Sequence, residues 1–237
     1  MPTLAKPRVN ASDLADVRRC KYCSELFGHD AGLHELAPWN VRLLETENFV
    51  VVPSLGALVE GWLLIVTKKH YLCMGSIPPA LDNELREITA ITANILQETY
   101  HAPTLFEHGP CRSGSGIGCG IDHAHMHLVP LRFDLEELSG AELSLMGQSW
   151  QPAHGFSKLR QLYDSEKPYV CLREPGRELL FSTPSDLPCQ FFRRVIAEAQ
   201  GRPGRFDYHK YPFESNVTAT LRRTKHHFAR LADEASR

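Results

Sequence analysis

Apolar and polar positions change period several times along the chain, and each change marks an element. Residues 40–54, NVRLLETENFVVVPS, collect β-branched and apolar side chains and then stop at Pro53, as a strand does before a turn. GWLLIVTKKH, residues 61–70, is a second strand, and the link SLGALVE is short enough to make the two an antiparallel pair. Beyond Pro78 and Pro79 the period lengthens: Leu81, Leu85, Ile88, Ile91, Ile95, Leu96 and Tyr100 recur at helical spacing, which predicts one amphipathic helix of about five turns. Pro103 ends it, and APTLFEHGP gives a third strand that runs into the glycine-rich loop CRSGSGIGCGID. Glycines there let the backbone come close to a ligand.

HAHMHLVPLRF, residues 123–133, alternates strictly and predicts a fourth strand. Alternation puts His123, His125 and His127 on one face at intervals of about 7 Å, with Ala124, Met126 and Leu128 turned to the core. From about residue 134 the chain becomes acidic and helical in DLEELSGAELSLMG, strand-like in KPYVCLREPGRELLFS, helical again in PCQFFRRVIAEAQG, and ends in a closing helix within residues 206–235. Strands on either side of a helix in a mostly local antiparallel plan predict an α+β fold.

Composition narrows the class. Hydrophobic residues make up 43% and charged residues 23% of the 237, ordinary for a folded globular chain. A formal charge of −2 offers no basic field, so a nucleic-acid partner is not indicated. The apolar runs around Phe49–Val52 and Trp62–Val66 are broken by Pro53, Gly56 and Glu60, so no membrane span is expected. The start of the chain lacks the apolar run of a secretory signal, which makes the cytoplasm the expected location. Seven cysteines, an odd number with Cys20 and Cys23 in a CxxC, fit a metal role in a reducing compartment better than a disulfide framework.

Three imidazoles in a row bury little apolar area and are poor choices for stability alone. Taken by itself the stripe admits a solvated surface, a three-histidine metal site, or nucleophilic catalysis by a neutral imidazole. The run His-Ala-His-Met-His-Leu-Val resembles the signature of the histidine-triad (HIT) family, and GSGIGCGID before it resembles that family's phosphate loop. The GCG step also resembles the loop of the related galactose-1-phosphate uridylyltransferases, although Ala124 stands where that branch has proline. CKYC, the strand GWLLIVTKKH and the intervening helix follow the family's order, so the resemblance covers residues 20–133. Residues 1–19 then form a lead-in and 134–237 an α/β extension, similar to those of larger members with a CwfJ-like carboxyl region.

The resemblance implies a HIT-like antiparallel sheet with the long helix packed on it. It makes His125 the nucleophile, with its second nitrogen held as N–H by a backbone carbonyl of its own strand. His127 would donate to a phosphoryl oxygen, and Gly118, Cys119 and Gly120 would bind phosphate, with the N–H groups of Cys119 and Gly120 as an anion nest. Zinc-containing relatives recruit the histidine closing a KxH strand end and the first triad histidine. Here those are His70 and His123, which with Cys20 and Cys23 make a closed, structural zinc site for one ion. Buried reduced cysteines with a surface His70 are the alternative.

Two departures from the family pattern stand out. No serine directly precedes the triad, since Gly120 and Asp122 fill that stretch, which leaves the leaving-group proton donor unassigned. Pro53-Ser54-Leu55 replaces the acidic residue that many relatives use for ribose. Glu107 and His108 lie on the strand beside the triad and are candidates for the pocket lining, a structural role for one of them being the alternative. Gln190, Arg193 and Arg194 sit in a helical segment that could bring a guanidinium to phosphate, or could be solvated helix charges.

The expected activity is a nucleotide hydrolase or nucleotidyltransferase working on a phosphoanhydride, phosphoramidate or phosphoester through a covalent histidine–nucleotide intermediate. Its rivals are a phosphorylase passing the group to phosphate or a sugar phosphate, and a non-catalytic nucleotide- or RNA-binding adaptor. A small nucleotide is the expected partner, and a homodimer follows the habit of the family.

Overall fold

A computed structural model describes residues 20–28, 37–115 and 120–235, so the expected lead-in at 1–19 lies outside the described residues. Eight strands form one antiparallel sheet: β1 (Leu44–Glu45), β2 (Phe49–Pro53), β3 (Leu63–Thr67), β4 (Thr104–Gly109), β5 (His125–Val129), β6 (Gln151–Pro152), β7 (Tyr169–Arg173) and β8 (Leu180–Ser182). Their spatial order is β1-β2-β3-β5-β4-β7-β8-β6, so the triad strand β5 lies between β3 and β4 near the middle. Helices α1 (Asp82–Thr99), α2 (Leu135–Leu145), α3 (Phe156–Asp164), α4 (Phe191–Ala199) and α5 (Glu214–Ala235) complete the α+β fold.

The second, third and fourth expected strands and the long helix form near their expected places, whereas residues 40–54, expected as one strand, fold back on themselves as the hairpin β1–β2, Leu44 opposite Val51. The fourth strand is shorter than its alternating pattern because Pro130 has no N–H to continue the ladder. The strand-like stretch after residue 167 becomes the hairpin β7–β8, and β7 pairs with β4 from Leu105↔Arg173 to Gly109↔Tyr169. Residues after 134 therefore extend the sheet that carries the histidines. The closing helix starts at Glu214, later than the segment that predicts it, after a run of turns over 206–213.

One sheet face packs with α1: Leu85, Ile88, Ile95 and Leu96 share a core with Phe49, Val51, Leu63, Ile65, Met126 and Leu128. Each such side chain contributes about 1.5–3 kcal/mol by leaving water. Asp82 and Glu84 in the first turn of α1 favour its positive end, and Glu84 also accepts from Asn48 N and Nδ2 at 2.7 Å each, tying the helix to the β1–β2 turn.

The second face, which carries the histidines, is also covered. Val50, Val52, Leu64, Phe106, Val170 and Leu172 share a core with Trp62 and with Phe191, Phe192 and Ile196 of α4. The extension thus roofs the histidine face, leaving His127 only 7% exposed. Helix α5 braces the β2–β3 loop, with Asn216 Nδ2 donating to Ala57 O at 2.8 Å and Gly61 N donating to Thr220 Oγ1 at 2.8 Å. Among the described residues no helix is long and apolar enough to cross a membrane.

Candidate active site

Strand register fixes the triad. Leu64 of β3 and Phe106 of β4 flank His127, and Val66 stands opposite His125. The three rings then acquire three different hydrogen-bonding states from their neighbours.

His125 Nδ1 lies 2.6 Å from the carbonyl oxygen of His123. A carbonyl only accepts, so Nδ1 carries the proton and Nε2 keeps its lone pair. Burial lowers the pKa of this ring and so favours the neutral form. His125 lines a cavity of about 250 Å³, whose wall includes Tyr22, Trp39, Asn40, Ser54, His108, Gly120, Asp122, His127, Gln190, Arg193 and Tyr208. A neutral imidazole with a free nitrogen at the wall of a cavity has the form of a nucleophile.

His127 is set the opposite way. Trp62 Nε1 lies 2.9 Å from His127 Nδ1, and an indole N–H can only donate. Nδ1 therefore accepts, which places the proton of the neutral ring on Nε2. Phe106 stacks on this imidazole at 4.6 Å and 13°. Burial first, and then the nearby His125, His108 and Arg193, hold its pKa well below the usual value. The ring is a fixed neutral donor.

His123 does not line that cavity. Its Nε2 donates to Thr67 O at 2.6 Å, which leaves the Nδ1 lone pair toward two sulfurs: Cys20 Sγ at 3.4 Å and Cys23 Sγ at 3.6 Å. His70 Nδ1 is 3.4 Å from Cys23 Sγ. The donor atoms of Cys20, Cys23, His70 and His123 all lie within 4.8 Å of one another and form a candidate metal site. Bonds of about 2.3 Å to sulfur and 2.0–2.1 Å to nitrogen, at tetrahedral angles, separate S and N by about 3.5 Å, so the donor set fits a zinc ion. A carbonyl on the far nitrogen of a ligating histidine is the usual outer support. Burial, with the adjacent Cys20, pushes the Cys23 thiol up to about 12, and a cation between them would reverse that.

The short π-helical turn Tyr22–Leu26 joins the two centres. It holds Tyr22 between Cys20 and Cys23 in sequence, and the Tyr22 ring meets His123 and His125 edge-on at 5.6 Å and 5.7 Å. Lys21, Tyr22 and Glu25 all line the cavity, so the metal site and the cavity wall share one piece of backbone.

His108, Gly120, Gln190 and Arg193 line the cavity. Gly118 and Cys119 lie outside the described residues. Glu107 does not reach it. Successive residues of a strand face opposite ways, and with His108 toward the cavity Glu107 is buried on the α1 side. There its carboxyl takes Met74 N–H at 2.5 Å and Tyr169 O–H at 2.8 Å. Arg194 lies over Phe206 instead, with its guanidinium carbon 3.8 Å from the ring centroid.

Trp62, Tyr22, Trp39, Asn40 and Tyr208 were not singled out from sequence. Only Trp62 left a usable trace: it shares the alternating face of Leu64 and Val66, beside the strand of His127. Arg193 stacks over Trp62 at 4.8 Å and Tyr208 at 5.6 Å, donates from Nε to Phe206 O at 2.8 Å, and donates from Nη2 to Gly56 O.

No protein-family model matches the chain, and no curated protein does. Solved structures do. A hypothetical histidine triad nucleotide-binding protein from Sulfolobus tokodaii is 19% identical with a TM-score of 0.33, over 39% of this chain and 62% of that one. A Zn-bound histidine triad family protein from Mycobacterium smegmatis is 19% identical with a TM-score of 0.37, over 63% of this chain and 96% of that one. A GalT-like protein from Arabidopsis thaliana is 10% identical with a TM-score of 0.36, over 72% of this chain and 85% of that one. The chain is similar in structure to histidine-triad and GalT-like proteins, and it spans less than two thirds of the first of these.

Proposed function

We propose that the chain is a histidine-triad-type nucleotide hydrolase or nucleotidyltransferase whose His125 is transiently nucleotidylated. The observation that carries this reading is the complementary tautomer pair: His125 Nδ1 is tied to His123 O, and His127 Nδ1 is tied to Trp62. One ring offers a lone pair and the other a proton at the same cavity. Nε2 of His125 attacks the substrate phosphorus, and the bond to the leaving oxygen breaks with its electron pair departing on that oxygen. Nε2–H of His127 steadies a non-bridging oxygen as charge builds there. Water or another acceptor then displaces His125 from phosphorus and restores the free imidazole.

Cys20, Cys23, His70 and His123 would hold one structural zinc ion, a closed four-ligand set that supplies rigidity and no open coordination position. Its chemical service is to fasten the Tyr22–Leu26 turn against the triad strand. His125 and its neighbours perform the reaction.

Turnover of a panel of nucleoside diphosphates, nucleotide esters and nucleoside phosphoramidates tests the proposal. His125→Ala is expected to lower kcat/KM on every accepted substrate by about a thousandfold or more, with an unchanged melting temperature. A variant that kept wild-type turnover would overturn it.

A further inference from the structure

The cavity has polar equipment beyond the two triad rings. Arg193, in the first turn of α4, is only 5% exposed, and its guanidinium meets two carbonyls and two aromatic faces with no carboxylate at salt-bridge distance among the described residues. An Arg fork has five N–H donors, so the bonds to Phe206 O and Gly56 O leave others over. Next to it Gln190 is 8% exposed and lines the same cavity, yet its buried Oε1 has no partner. His108 lines the cavity too, with a buried Nε2 that also has none. Buried polar atoms are nearly always hydrogen-bonded, so two such atoms on residues that line one cavity, beside a buried cation, point to a ligand.

The chemistry of that ligand follows from the donors. With Asp207 acting on it only from beyond salt-bridge distance, this guanidinium can take an anion, and its planar fork suits phosphoryl oxygens. The Gln190 amide presents either oxygen or NH2 by a half-turn that leaves its shape unchanged, so it can donate to the same group. His108 is kept neutral, its pKa pushed down to about 3 chiefly by burial, and so offers one N–H without adding charge. Gln190 itself holds a left-handed backbone, φ 56°, at the N-cap of α4, with no side-chain cap bond of its own. A residue held there at a conformational cost, with its side chain unused by the helix, is placed for something else.

We propose that Arg193, Gln190 and His108 form a second anion subsite that takes a phosphoryl group of the substrate other than the one attacked by His125. This rests on the nucleotidyl-transfer reading and narrows it. The substrate class becomes nucleoside phosphoanhydrides, with at least two phosphoryl groups, ahead of nucleoside phosphoramidates or esters with a neutral leaving group. The triad side of the cavity handles the reacting phosphorus, and the C-terminal extension grips its neighbour.

Inorganic pyrophosphate and orthophosphate are the probes, titrated calorimetrically into the metal-replete protein without magnesium. Pyrophosphate is expected to bind at least about tenfold more tightly than orthophosphate, since it can occupy both positions. Gln190→Glu, which keeps shape and adds a negative charge, should weaken pyrophosphate binding by about tenfold or more, and Arg193→Lys, which keeps charge and loses the fork, by a similar factor. Gln190→Glu remains decisive if Arg193→Lys disturbs the fold. No pyrophosphate binding, equal affinities for the two probes, or a Gln190→Glu change below about threefold would overturn the subsite. Binding needs no covalent step, so a missing His125 adduct would sink the nucleophile and leave this measurement standing.

Discussion

Trp62 Nε1 donates a hydrogen bond of 2.9 Å to Nδ1 of His127, and this single contact decides which nitrogen of His127 faces the cavity with a proton. Trp62→Phe keeps most of the packing against Phe106 while freeing the imidazole to change tautomer. Turnover should fall by about tenfold, with a stability loss of about 1–2 kcal/mol for the buried bond. Steady-state kinetics and a denaturant midpoint check the two effects separately.

The candidate metal site predicts a physical dependence that activity alone would not reveal. One zinc ion per chain is expected by elemental analysis, and Cys23→Ser should lose it. Chelation should lower the melting temperature and, because Lys21, Tyr22 and Glu25 line the cavity, weaken nucleotide binding as well. Metal-free protein with an unchanged melting curve would contradict the clamp.

Glu107 predicts the direction of a pH effect. Burial raises its pKa from an ordinary 4.5 to about 8, so between those values the folded chain holds a proton that the unfolded chain has released. Stability from this group is full below pH 4.5 and is lost as pH rises through about 8. Glu107→Gln mimics the protonated acid and should flatten the slope of unfolding free energy against pH in that window, gaining most over wild type at the alkaline end. Urea unfolding at a series of pH values reads it.

Gly56 sits at φ +72°, and a Cβ there would come within 2.4 Å of Tyr208 Cβ and 2.6 Å of Arg193 Nη2. Gly56→Ala is expected to cost about 2 kcal/mol or more in stability. Part of that cost should appear as weaker pyrophosphate binding, because the displaced group is the guanidinium of the proposed subsite.

Local periodicity carried the elements, while the roles of the triad and the zinc ligand set followed from the resemblance to the histidine-triad family. The triad and the CxxC pair were legible as short patterns, His70 only through the resemblance, and the strands that bring them together from alternation. Of Glu107 and His108, alternation allows only one to reach the cavity, and strand register, not the sequence, decides that Glu107 takes the structural role. Trp62 as the partner of His127 was hidden because that contact spans 65 positions and depends on strand register. The covered histidine face was hidden for a related reason: Phe191 and Phe192 read as a helix stripe, and only the course of the chain after β8 shows that they roof β4 and β5.

The most direct test is the intact mass of the protein, rapidly quenched without acid after mixing with a nucleoside diphosphate or a nucleotide ester, followed by peptide mapping. The account predicts a single nucleotidyl adduct on His125, absent in His125→Ala. Turnover without an adduct in rapidly quenched wild type, or an adduct on another residue, would contradict it.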